Sequence, residues 1–582
     1  MNWLAASMPK WDFLMPPLDP LRSFLPITNP LGFGASDFFE LGLAVLLVCF
    51  ALTSRRFLEP WARRFAERPV WCMLLLAAAP VALRLLLLPN HPVPTPDIYD
   101  EFGHLLVADT LRHFRLANPP HALPQFFETF FVLQRPTYSS IYPIGQGLVL
   151  AIGWTLFGTP WAGVLLATAA FCALCYWMMR AWVLPLWALV GGVLAVMEFG
   201  PLCQWMNSYW GGAVTACAGC LVFGALPRLR ARPTKRDAAL LGLGCAIHLL
   251  TRPYEAIFLF AAAALYFMPM LRRSIELRAL MRVSPVAGVL IAAAIGITLA
   301  QNKKVTGSWT TLPYQLSQYQ YGVPAGLTFQ TDPVPHVPLT PEQQMDYRMQ
   351  RSFRGASAET LSSYLLRLEF RVRYYRFFFL PALYLVLPLF LVSIRQWKLL
   401  WVALTLALFA LGINFFPAYQ LHYAAACTCL MILAAVTGLQ KLAAVRREAT
   451  RIVLFLCAAH FLFWYSMHLF ENTPIARAAL PFETWDAINH QNPQRRIYVN
   501  RELAKIPGDL LVFVRYQYPQ HPFQDEWVYN AADIDRARIV WARDLGAEED
   551  AKLEQYFPQR KAIVLEPDER PPSIEIESPS GR

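Results

Sequence analysis

The sequence predicts an α-helical integral membrane protein of about 12–13 membrane segments, with a small C-terminal α/β domain outside the membrane. Three observations predict it. Of 582 residues, 56% are hydrophobic and 16% charged, whereas a soluble domain is roughly a quarter charged and under half apolar. The mean hydropathy of +0.34 exceeds what one globular core absorbs, so lipid must solvate much of the chain. Finally, the basic residues fall in short blocks between apolar runs. The net charge of +11 therefore reads as membrane topology, and no nucleic-acid partner is expected.

Apolar runs long enough to span, or nearly so, fall at 37–54, 69–90, 160–182, 183–200, 209–227, 237–251, 255–271, 283–301, 376–394, 398–416, 421–440 and 451–470, with a shorter one at 144–158. The blocks Arg55-Arg56, Arg63-Arg64, Arg228 to Arg236, Arg272 to Arg282, Arg395 to Lys398 and Lys441 to Arg451 mark cytoplasmic turns. This alternation puts 91–143, 201–208, 251–254, 302–375, 417–421 and everything after 471 outside. One segment is then surplus before residue 201. The run 144–158 is shortest and carries Gly145 and Gly147, so it reads as re-entrant or interfacial.

The divisions that follow are an N-terminal segment with an extra transmembrane helix (1–68), a multi-pass domain (69–470) with outer loops 91–143 and 302–375, an α/β domain (475–570) and a disordered tail (571–582). The N-terminus shows neither a continuous apolar stretch nor a small-residue cleavage site, so no cleavable signal is expected. In the α/β domain, apolar runs at Leu510–Val514, Ile539–Trp541 and Ala562–Leu565 read as buried strands, with a polar helix near 547–557. The acidic, Pro-rich end after Pro571 reads as disorder. All eleven cysteines lie in or beside apolar runs, and the CxxC pairs Cys172/Cys175 and Cys217/Cys220 read as small packing residues.

The polar residues with chemistry converge on the outer side. The first outer loop sets Asp97, Asp100 and Glu101 just past the run 69–90. Acidic residues in a helical first turn are stabilised by the dipole, and three carboxylates together also suit a general base or a divalent-cation site. Both readings stay open. Arg135, Tyr138, Tyr142, Asn207, Trp210, Arg252, Glu255, Lys303, Lys304 and His422 lie on the same side. Each has a structural reading: snorkelling for the lysines, an aromatic belt for Trp210 and the tyrosines, and a surface ion pair for Arg252 with Glu255. Together they describe a one-sided cavity of carboxylates, cations and aromatics.

The stretches DEFGHLLVADTLRHFRL, FFETFFVLQRPTYSSIYPIGQG, MNSYWGGA and TRPYE, with an HY near a late helix, resemble a bacterial family of multi-pass glycosyltransferases over residues 75–430. That family belongs to the GT-C group, alongside protein O-mannosyltransferases and aminoarabinose transferases. The resemblance implies that Asp100 is the catalytic carboxylate, with Glu101 beside it, and that the donor is a polyprenyl-phosphate sugar. The extra helix 37–54 and the C-terminal domain depart from the simplest members. The expected function is inverting transfer of a sugar to a lipid, glycan or protein acceptor at the outer face of a bacterial inner membrane, with the C-terminal domain periplasmic. In this reading Arg252, Lys303 and Lys304 hold the leaving phosphate. The chain has no Gly-rich phosphate loop for a nucleotide sugar. A transporter or flippase for a lipid-linked or anionic substrate is the alternative, but it would place ionisable groups near mid-membrane in two related halves. A membrane scaffold would need no such constellation.

Overall fold

The structure is a computed structural model that describes residues 35–576, apart from 54, 273, 355–357, 481–482, 484–492, 519–520 and 523–524. Among these residues seven helices are long and apolar enough to cross a membrane: Pro69–Leu86, Trp161–Met179, Ala213–Ala231, Pro253–Met270, Ile275–Thr306, Leu421–Val445 and Arg447–Leu469. Shorter apolar helices run over Leu41–Thr53, Ile144–Phe157, Pro185–Phe199 and Trp397–Ile413. The helix Ser274–Thr306 has 33 residues, about 50 Å at 1.5 Å per residue, so its last turns extend past a hydrocarbon core of about 30 Å. Ile144–Phe157 has only 14 residues. It packs tightly, because Gly153 and Gly163 bring its backbone and that of Trp161–Met179 so close that a Cβ has no room.

One expected span differs. The run 376–394 is not one helix but 3₁₀ turns over Arg373–Phe378 and Pro381–Leu385, followed by the seven-residue helix Leu387–Ser393. Pro381 and Pro388 remove donors from the ladder a continuous helix would need. The run 237–251 lies in the helix Lys235–Thr251, whose first turn carries Lys235, Arg236 and Asp237.

The loop expected at 302–375 is built rather than slack. It holds the helices Pro313–Tyr321, Pro341–Arg354 and Leu361–Val372. The second opens on Thr340, which accepts from the Gln343 N–H while Gln343 accepts from the Thr340 N–H. That reciprocal cap, with Pro in the first turn, starts a helix that is otherwise polar.

Beyond the membrane segments a four-stranded sheet has the spatial order Ile539–Arg543, Leu510–Val514, Lys561–Glu566, Ser573–Ile576. The first three strands are parallel and the last antiparallel. The expected strands and the helix Ala547–Tyr556 are present. The tail, however, is ordered at Ser573–Ile576, where pairing to Lys561–Glu566 supplies backbone bonds that composition could not reveal. Residues 1–34 and 577–582 lie outside the described residues.

Leu510–Val514 is apolar at every position because both its faces are covered. Leu510, Val512 and Val514 pack with Val499 and Leu503 of the helix Gln494–Lys505. Leu511 and Phe513 pack with Leu106, Phe126, Phe127, Val132 and Tyr138 of the segment 91–143. The sheet therefore uses that loop as its second layer. A buried ionic contact adds to the seam: Glu342, on Pro341–Arg354, accepts from Arg543 and Tyr518 of the C-terminal domain. Arg543 also lies 3.7 Å from Glu526. Removing one partner of such a pair leaves an uncompensated buried charge, costing about 3–5 kcal/mol. Arg543→Ala should therefore lower the urea midpoint of the purified protein, read through Trp527 and Trp541 fluorescence. An Arg543→Met/Glu342→Met double variant should lose less.

Candidate functional site

The helix Tyr99–Arg112 carries Asp100 and Glu101 of the first long loop. Asp100 and Glu101 occupy its first turn, where exposed N–H groups favour negative charge. Their side chains then diverge. Glu101 is buried and turns back, accepting from the Asp97 N–H (2.8 Å), the Ile98 N–H (3.2 Å) and the Tyr209 N–H (2.8 Å). Burial pushes its pKa up to about 7, and the three N–H donors pull against that rise. Glu101 thus caps its own helix and ties the first loop to the segment Gln204–Gly212.

Asp100 faces a cavity of about 370 Å³, within the roughly 300–1,000 Å³ typical of small-molecule sites. It accepts a hydrogen bond from the Tyr142 hydroxyl. Burial raises the pKa of Asp100 to about 6, while Tyr142, Arg252 and Trp210 favour its charged form. Gly103 makes the Tyr142 contact possible, since a Cβ there would lie 2.7 Å from the Tyr142 ring.

Arg252 joins the helices Lys235–Thr251 and Pro253–Phe267. Its N–H donates to the His248 carbonyl at 2.7 Å, and Pro253 opens the next helix behind it. The guanidinium lies over the Tyr423 ring at 4.9 Å and 3.9 Å from Glu255. Glu255 is 2% exposed and Arg252 half-buried, so the pair expected at the surface lies instead in the cavity wall. Trp210 and His422 pack edge to face across 5.0 Å. The two glycines after Trp210 adopt φ of 108° and 121°, which only glycine takes readily, and turn the chain into the helix Ala213–Ala231.

Of the residues singled out by sequence, Asp100, Tyr142, Trp210, Arg252, Glu255 and His422 line this one cavity. The others are placed elsewhere. Lys303 and Lys304 are exposed, and Lys303 Nζ donates to the Gly307 carbonyl. Thr298, Gln301 and Asn302 line the cavity from the same helix, so helical phase carries the lysines to the opposite side and corrects the phosphate-holding role expected of them. Arg135 is exposed in the turn between the short strands Val132–Leu133 and Ser139–Ser140. Tyr138 donates to the Asn530 carbonyl of the C-terminal domain. Asn207 is consumed internally, accepting from Arg84 and donating to the Pro201 and Cys203 carbonyls. Asp97 lies against the C-terminal domain, where burial raises its pKa and Arg496 opposes the rise.

The cavity also takes Tyr99, His104, Gln146, Tyr314 and Tyr423. His104 had a legible signal, since its four-residue spacing from Asp100 puts both on one helical face. Burial lowers its pKa to about 3, so the imidazole is neutral. Among the described residues no group of three or more His, Cys, Asp or Glu side chains is arranged to hold a metal ion.

No family model matches the sequence, and no curated protein does. Solved structures similar to this chain include ArnT from Cupriavidus metallidurans, in an apo state and bound to undecaprenyl phosphate. Each has 12% identity and a TM-score of 0.47, over 84% of this chain and 92% of that one. Another is the archaeal oligosaccharyltransferase AglB from Archaeoglobus fulgidus in complex with an inhibitory peptide and a dolichol-phosphate. It has 11% identity and a TM-score of 0.36, over 85% of this chain and 69% of that one. Likenesses this distant leave the activity to be argued from the cavity itself.

If Glu101 holds the two loop segments together, Glu101→Gln should free at least one N–H from its acceptor. An unsatisfied buried donor costs about 1–3 kcal/mol. Amide exchange at Asp97, Ile98 and Tyr209 should accelerate by about tenfold to a hundredfold, measured by hydrogen–deuterium exchange.

Proposed function

We propose that this protein is a membrane glycosyltransferase that moves a sugar from a polyprenyl-phosphate donor to an acceptor hydroxyl or amine at the outer face of a bacterial inner membrane. The observation that carries the proposal is a buried carboxylate, Asp100, sharing one cavity with the Arg252 guanidinium at the ends of helices. The GT-C resemblance of the DE, TRPYE and HY stretches supports it, because those stretches supply Asp100, Arg252 and His422 to the cavity wall.

The chemistry follows from charge. An acceptor O–H or N–H loses its proton to Asp100 as its lone pair attacks the anomeric carbon. The bond from that carbon to the phosphate oxygen breaks, and the leaving lipid phosphate gains a negative charge. Arg252 balances this growing charge, and an interaction that strengthens toward the transition state accelerates the step. One base and one displacement imply inversion at the anomeric carbon. A carboxylate near pH 6 suits the task, being ionised at neutral pH yet basic enough to take a proton. The aromatic walls formed by Tyr142, Trp210, Tyr314 and Tyr423 offer faces against which a sugar ring packs.

Two predictions follow from these roles. Asp100→Asn should lower transfer by about a hundredfold or more with the fold intact. In the wild type, transfer should fall below about pH 6 as Asp100 takes up a proton. Because the Tyr142 hydrogen bond stabilises the charged carboxylate, Tyr142→Phe should move that acid limb to higher pH. A pH–rate profile with a synthetic polyprenyl-phosphate sugar and purified protein checks both, and an unmoved limb excludes Asp100 as the base.

For the cation, Arg252→Ala should weaken donor binding and slow transfer together. Arg252→Lys should restore only part of the loss, since a point charge replaces a planar fork. The Lys303→Ala/Lys304→Ala variant should keep near-normal transfer, because both side chains face away from the cavity. The same transfer assay distinguishes these outcomes, and a transporter would yield no covalent product in any variant.

A further inference from the structure

Three amide side chains on the cavity wall are each fixed in one orientation. Gln146 Nε2 donates to the Tyr209 carbonyl at 3.1 Å, Gln301 Nε2 to the Tyr142 carbonyl at 2.9 Å and Asn302 Nδ2 to the Trp309 carbonyl at 3.1 Å. A backbone carbonyl only accepts, so each amide must turn its NH2 toward it and is left with an oxygen to spare. Gln146, Gln301 and Asn302 are 4%, 6% and 3% exposed, and all three line the cavity. Among the described residues nothing donates to Gln146 Oε1 or Asn302 Oδ1. A buried acceptor without a donor is costly, so these oxygens call for a ligand that donates.

The amides stand close to the base. Tyr142, whose carbonyl holds Gln301, gives its hydroxyl to Asp100. A Cβ on Gly211, next to Trp210, would lie 3.1 Å from Gln146 Oε1. A lipid phosphate is an acceptor and cannot satisfy these oxygens, whereas the hydroxyls of a sugar ring can. The charge of the wall narrows the ligand further. Among the described residues lining the cavity, the carboxylate and guanidinium groups are those of Asp100, Glu255 and Arg252. Asp100 is engaged by Tyr142, and Glu255 lies 3.9 Å from Arg252. A sugar carboxylate would face amide oxygens with Arg252 already committed to the phosphate. A sugar ammonium would have to take a carboxylate from the base or from Arg252. A charge buried without a partner of its own is costly.

We propose that Gln146, Gln301 and Asn302 form the sugar-recognition wall of the cavity, and that the sugar it takes is uncharged and bound through its donating hydroxyls. The inference rests on the glycosyltransferase reading and names the substrate class that this reading leaves open.

The test uses full-length protein in detergent and C-glycosyl polyprenyl phosphonates, which cannot be transferred, with Kd measured by calorimetry at neutral pH. The analogues carry a hexose, each of its monodeoxy forms, the 6-amino-6-deoxyhexose or the hexuronate. The wild type should bind the hexosyl analogue at least about tenfold more tightly than either charged one. At least one monodeoxy analogue should bind about tenfold more weakly, and that penalty should vanish in Gln146→Met or Gln301→Met. Charged analogues bound as tightly as the hexosyl one would overturn the proposal. So would monodeoxy penalties that are absent in the wild type or unchanged in both variants. A matching hexosyl phosphate donor separates the two readings. Discrimination among the analogues without transfer would reject only the glycosyltransferase reading, and transfer without discrimination would reject only the recognition wall.

Discussion

The arrangement around the cavity depends on one buried carboxylate that does not face it. Glu101 gathers three backbone N–H groups, two from its own helix start and one from Tyr209, more than a hundred residues later. An acceptor so fully used cannot swing, and the helix start it caps is held with it. Asp100, one residue earlier, is thereby aimed the other way, toward Tyr142 and Arg252. Adjacent acidic residues take opposite tasks because a helix points consecutive side chains about 100° apart.

Burial pushes Asp100 toward its protonated form. The Tyr142 hydroxyl, the Trp210 indole and the Arg252 charge bring it back to a value near neutrality. These three groups come from three different segments, so the tuning of one carboxylate requires the first loop, the Gln204–Gly212 segment and the turn at Arg252 to be in register. The close passage of Gly103 beneath Tyr142 belongs to the same requirement.

Much of this was legible in the sequence where burial and composition agree. The strand Leu510–Val514 showed itself as a short, wholly apolar run, because both faces are covered. Asp100, Arg252 and Glu255 showed themselves as ionisable residues at helix ends. The failures have physical causes. Lys303 and Lys304 share a helix with Gln301 and Asn302, and only the phase of that helix, which a charge census ignores, separates cavity from exterior. The Arg252–Glu255 pair looked exposed because neighbouring helices that bury it are remote in sequence. The helices of the outer loop hide in polar composition, although Thr340-Pro-Glu-Gln343 is a helix start in plain spelling. Residues 573–576 gain order only from a strand partner.

The seam between the first outer loop and the C-terminal sheet bears on how the protein is made. The Ala532 N–H donates to Asp109 across 423 positions of chain, and the Tyr138 hydroxyl reaches Asn530 across 392. The helix that carries Asp100 therefore emerges from synthesis long before its packing surface does. Until the last hundred residues have been translated and delivered to the same side, Leu106, Phe126 and Phe127 have no sheet to cover them. Assembly of the first loop is thus coupled to synthesis of the sheet, and a chain truncated before the sheet lacks the layer that packs on that loop.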